Sequence, residues 1–143
     1  MTGESDLPDP VVLARVSGAR VVHEPANGSG EHTIATEVER AESRLSQARG
    51  LMFRRSIPEE FALVLETGQG SLGGPGRQNV HMLFVRFPLD VVWLVDDEVT
   101  RVAQLRPWRG FAAARADRIL ELPAGNATAV EPGDTVQVEH DGR

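Results

Sequence analysis

The chain has 143 residues, 41% of them hydrophobic, a formal net charge of −6, no Cys, and no Lys among its 15 basic side chains. That length fits one domain with one core. The missing thiols exclude disulfides, thiolate catalysis and Cys-ligated metals. The negative balance argues against general nucleic-acid binding, which needs a basic face.

Residues 1–10 carry Glu4, Asp6, Asp9 and two prolines, and read as a mobile tail ahead of a single domain over 11–143. They have no apolar centre, and no segment approaches the ~18 apolar residues of a membrane span. A cytoplasmic monomer without membrane contact is expected. Val11 to Val16 is a candidate first strand. Arg20–Glu24 and Glu31–Thr36 flank Asn27-Gly28, a hairpin signal because both residues tolerate positive φ. A two-residue turn there sets His23 opposite His32, with Cβ atoms about 5 Å apart.

Ala41, Leu45 and Ala48 recur at helical spacing before Gly50, which predicts one main helix near residues 38–49. Phe61–Glu66 reads as a buried strand. Thr67–Gly76 holds five glycines and Pro75 and reads as a loop. It lacks the Gly-Lys-Ser/Thr and following helix of a phosphate loop. Asn79 to Asp96 reads as two strands meeting at a corner, Arg86-Phe87-Pro88-Leu89-Asp90, where a cis Pro88 is a minor expectation. Asp96-Asp97 turns the chain into a strand over Glu98–Leu105. Arg118–Leu122 and Thr135–Glu139 complete the set. Strands dominate without a βαβ rhythm. The class is mostly β, an antiparallel sandwich or open barrel with one helix against it.

Three blocks carry a resemblance. They are Ala48-Arg49-Gly50-Leu51-Met52-Phe53-Arg54-Arg55, then His81 to Asp96, then Ile119-Leu120-Glu121-Leu122-Pro123-Ala124-Gly125 with Pro132-Gly133-Asp134. In that order they resemble the DUF192 (UPF0127) family. The second block is similar to the subgroup reading His-Thr-x-x-Met-Arg-Phe-Pro-Ile-Asp, with Met82 and Val85 as departures. The resemblance implies a compact β-rich fold with a helix, and it implies no catalytic residues.

Candidate site residues gather near the corner. Arg86 and Asp90 can clamp the corner through a bidentate hydrogen bond, or Arg86 can anchor an anionic ligand. Arg54 follows Leu51, Met52 and Phe53, which read as core contacts; one of Arg54 and Arg55 is expected to point inward to a carboxylate such as Glu66 or Glu121. Trp108, between Arg106 and Arg109, reads either as packed over the sheet or as an exposed stacking surface. His81, Arg86, Arg54 and Trp108 are therefore the candidate ligand contacts. His23 and His32 are a two-imidazole metal candidate set against a plain solvated pair. No cofactor is implied.

The expected function is a non-enzymatic module binding a small molecule or a protein, through the His81–Asp90 corner and the Trp108 loop. The alternative is a small hydrolase or isomerase in which His81 is the base, Asp90 orients it and Arg86 holds an anion.

Overall fold

The computed structural model describes residues 13–41, 51–67 and 76–140. Through them run β1 (Leu13–Val16), β2 (Ala19–Glu24), β3 (His32–Ala35), β4 (Glu37–Ala41), β5 (Phe61–Glu66), β6 (Arg77–His81), β7 (Leu89–Val95), β8 (Glu98–Leu105), β9 (Phe111–Arg115), β10 (Arg118–Pro123) and β11 (Thr135–His140). One nine-stranded sheet has the order β1-β4-β5-β10-β7-β8-β11-β2-β3, and β6 pairs with β9 in a separate two-stranded sheet. All pairings are antiparallel except β4 with β5. The mostly-β expectation holds, as a large sheet that rolls without closing.

The predicted helix is not borne out. Its first residues form β4, hydrogen-bonded to β1 on one side and β5 on the other. Glu and Ala favour a helix in isolation, but pairing along both edges overrides that preference. Residues 42–50 lie outside the described residues, as do residues 68–75 of the glycine-rich loop. Among the described residues every regular element is a strand and no peptide bond is cis, Pro88 included.

The alternation of a β-strand explains how one sheet serves two cores. Phe61, Leu63 and Leu65 of β5, with Leu89, Val91 and Trp93 of β7, point to one cluster. Ala62 and Val64, with Val92 and Leu94, point to the other. Strands buried on both faces read as near-continuous apolar runs, which makes β5, β7 and β10 plain in the sequence despite Asp90 and Glu121. The second cluster also takes Val21 and Ala35 from the far end of the sheet, so the sheet curls onto itself.

The corner joins two different sheets rather than two adjoining ladders. β6 ends at His81, and β7 begins at Leu89 in the large sheet. Trp93 fastens the two sheets. Its indole N–H donates to the Gln78 carbonyl at 3.0 Å, and the Arg101 guanidinium lies 5.7 Å over its ring. Arg101 donates onward to the Ala113 carbonyl at 3.0 Å. Thr100 Oγ1 lies 2.7 Å from the Arg115 carbonyl and 3.2 Å from that of Trp93.

Asp90 is buried at the start of β7. Its Oδ2 accepts the backbone N–H of Gly125 at 2.9 Å and of Ala127 at 2.8 Å, and its Oδ1 accepts Gln104 Nε2 at 3.1 Å. The expected Arg86–Asp90 clamp is absent: the carboxylate is spent on the turn after β10, and Arg86 is exposed. Asp90→Ala strands two buried amide donors and should cost about 3 kcal/mol. Asp90→Asn should cost about 1 kcal/mol, because Gln104 can turn its amide to accept from the new NH2 while the Asn oxygen serves the two backbone donors. Urea denaturation of both variants checks this; equal losses would show that charge, rather than the bond pattern, holds the turn.

Candidate binding site at three converging loops

The loops 51–55, 82–88 and 106–110 meet over the first core cluster. The first two divide their side chains by depth, and the third follows the buried Leu105 at the end of β8. Leu51, Met82, Val85 and Leu105 are buried in that cluster, with Met52 and Phe87 packed against it. Phe53, Leu83, Phe84 and Trp108 are exposed at 55%, 50%, 39% and 49%. The backbone ties the loops together: Phe53 N–H donates to Phe84 O at 2.9 Å, Trp108 N–H to Val85 O at 3.1 Å, and Met82 N–H to Gly110 O at 2.9 Å. Gly110 has no room for a side chain, since a Cβ would stand 2.8 Å from the Arg106 nitrogen and from Leu105 Cβ.

The exposed aromatics form a short ladder. Phe53 and Phe84 stack with ring centroids 5.0 Å apart, and Trp108 meets Phe84 edge-on at 5.7 Å. All three take positive φ, 68°, 64° and 68°. A bulky L-residue pays about 1–3 kcal/mol for that conformation. Three such residues lie on touching loops with their rings exposed to solvent.

These loops contain Arg54, Arg55, Arg86, Arg106 and Arg109 and no carboxylate, in a chain whose net charge is −6. Arg54 is tied down: it donates to Glu39 Oε1 at 3.0 Å and lies 5.5 Å over the Phe61 ring. It is the inward member of its pair, with Glu39 as partner in place of Glu66 or Glu121. Arg55, Arg86, Arg106 and Arg109 are exposed. The face therefore joins π surface to guanidinium charge.

A model of the DUF192 family, described as an uncharacterized ACR, matches residues 24–138. The chain belongs to the DUF192 family. No curated protein matches it. Two solved structures share the fold. A proposed transcription regulator from Sinorhizobium meliloti 1021 superposes with a TM-score of 0.73 at 23% identity, over 90% of this chain and 96% of that one. A protein of unknown function from Novosphingobium aromaticivorans DSM 12444 superposes with a TM-score of 0.66 at 25% identity, over 82% and 83%.

Within this DUF192 domain the sequence candidates are distributed unevenly. Arg86 and Trp108 lie on the three-loop face, Trp108 solvent-exposed against Phe84 rather than packed over the sheet. His81 ends β6 beside it, exposed, with Nδ1 accepting Leu83 N–H at 3.3 Å. Asp90 is buried and does not orient His81, since both its oxygens are engaged elsewhere. His23 and His32 face each other as predicted, although the chain between them is a loop over Pro25–Glu31 rather than a two-residue turn.

Sequence reasoning missed Phe53 and Phe84 as surface residues. It took Phe53 for core, because a strand or helix pattern assigns faces and a loop does not. It also left Glu121 as no more than a salt-bridge candidate. Glu121 is buried in β10, in register with Leu63 and Val91 of the cluster beneath the loops. Burial alone raises its pKa from the ordinary 4.5 to about 7.

The folded chain thus holds a proton at Glu121 that the unfolded chain has released, so this group's contribution to stability falls as pH rises from about 4.5 to about 7. Glu121→Gln removes the ionisation. Relative to wild type, that variant should gain about 3 kcal/mol between pH 4 and pH 8, from 1.36 kcal/mol per pKa unit. Chemical denaturation at the two pH values measures the difference; a pH-independent gap would refute the shift.

Proposed function

We propose that this DUF192 protein is a non-enzymatic binding module, and that its three-loop face docks an acidic polypeptide segment through an apolar or aromatic anchor residue. The observation that carries this reading is the strained, solvent-facing ladder Phe53–Phe84–Trp108 among Arg55, Arg86, Arg106 and Arg109. Aromatic anchors and Arg are the residue types that dominate binding energy at protein interfaces. Local positive charge on an acidic protein selects a negatively charged partner and speeds encounter. The enzyme alternative has less support, because His81 lacks its orienting carboxylate.

The two Trp residues supply a reporter. Trp93 is buried, and Trp108 lies in the face. A Trp-free peptide of alternating Glu and Asp around one Phe should shift the emission of Trp108, with affinity falling as salt rises. Phe84→Ala and the pair Arg86→Glu/Arg109→Glu should each weaken binding at least tenfold, a loss of about 1.4 kcal/mol. Binding indifferent to both variants, or no emission change, sinks the reading. Tighter binding of a single-stranded oligonucleotide than of the peptide would reassign the face to base stacking.

A further inference from the structure

A cleft lies at the C-terminal end of β2, lined by none of the residues of the three loops. It encloses about 380 Å³ and is lined by His23, Asn27, His32, Glu131 and Asp134 among others. Its chemistry begins with Asp134. Asp134 Oδ1 accepts the Ala26 N–H, and its Oδ2 accepts the Glu131 N–H and meets the His23 ring. Those bonds measure 2.9 Å to Ala26, 2.7 Å to His23 Nε2 and 3.0 Å to Glu131.

Both Asp134 oxygens already accept backbone N–H groups, so the 2.7 Å contact assigns the proton between them to Nε2 of His23. In the neutral ring the bare lone pair is then on Nδ1. His23 is 1% exposed, and its Nδ1 is buried with no hydrogen-bond partner. Buried polar atoms are ordinarily satisfied, and a bound ion or water is one way to satisfy an orphan. An imidazole backed by a carboxylate on one nitrogen and unpartnered on the other is the arrangement of a metal-ligating histidine awaiting its ion.

His32 supplies a second imidazole. It is the direct register partner of His23, exposed, with ring centroids 6.2 Å apart and planes tilted by 43°. A metal–nitrogen bond of about 2.1 Å puts the ion about 3 Å from each ring centroid, so two rings sharing an ion stand about 5–6 Å apart. The observed 6.2 Å lies just beyond that spacing.

We propose that His23 Nδ1 and His32 bind a borderline divalent transition cation such as Zn²⁺, Ni²⁺ or Cu²⁺, with Asp134 as the positioning residue behind His23. Imidazole ligands select these ions over Ca²⁺ and Mg²⁺, which take oxygen. Glu131 and Asp134 give the cavity a negative lining. Among the described residues no group of three ligating side chains converges on one point. The two imidazoles therefore leave coordination positions open to water or to an exogenous ligand in the cavity.

The chain has four His residues, which makes the test selective. Tag-free full-length protein is titrated with ZnCl2 and the imidazole resonances are followed by NMR. The His23 and His32 rings should shift and saturate at one equivalent while His81 and His140 stay in place. His32→Ala changes an exposed side chain and keeps the fold; it should weaken Zn²⁺ binding at least tenfold, and CaCl2 should shift neither ring. Unmoved rings, equal shifts in all four, or unchanged affinity in His32→Ala overturns the proposal.

Discussion

One carboxylate sets the geometry on which the rest of this molecule depends. Asp90 sits where the chain leaves the loop 82–88 and enters the large sheet, and it closes two backbone donors of the turn following β10 together with the Gln104 amide of β8. A buried carboxylate with all its neighbours donating is stable only while every donor stays in place. It therefore locks three strands at one point. The start of β7 is fixed, and the loop preceding it must leave the sheet in a single direction. That direction brings Val85 under Trp108 and Phe84 over Phe53.

The central strands were legible because the chain writes them with little interruption. Phe61–Leu65 is wholly apolar, Leu89–Val95 and Ile119–Leu122 are interrupted only by Asp90 and Glu121, and no helical periodicity competes. The hairpin at Asp96-Asp97 was equally legible, since both residues take the positive φ that such a turn demands, 51° and 68°. β4 was misread because its composition suits a helix and its partners, β1 and β5, are remote in sequence or joined through a long connection. β9 went unseen: Phe111-Ala112-Ala113-Ala114-Arg115 has no β-branched residue, and only pairing with β6 makes it a strand.

Of the candidate sites, residue type was readable and partnership was not. Arg86 and Asp90, four apart at a corner, suggest a pair, whereas the donors that Asp90 meets, Gln104, Gly125 and Ala127, lie 14 to 37 positions away. The His23–His32 register was deduced from the wrong turn, and it held because the strands, not the loop, fix the pairing. The Asp134 contact to His23 spans 111 positions, and no local pattern signals it.

The roll of the large sheet stops short of sealing, and β3 is its last strand, with a single neighbour in β2. Such a border invites another chain to add itself alongside. Here the invitation is brief: β3 runs only from His32 to Ala35 before Thr36 and Glu37 both turn their amides to the Glu60 carbonyl, each at 2.9 Å. At this edge it is the early bend, rather than barrel closure, that limits the length of backbone open to a further strand.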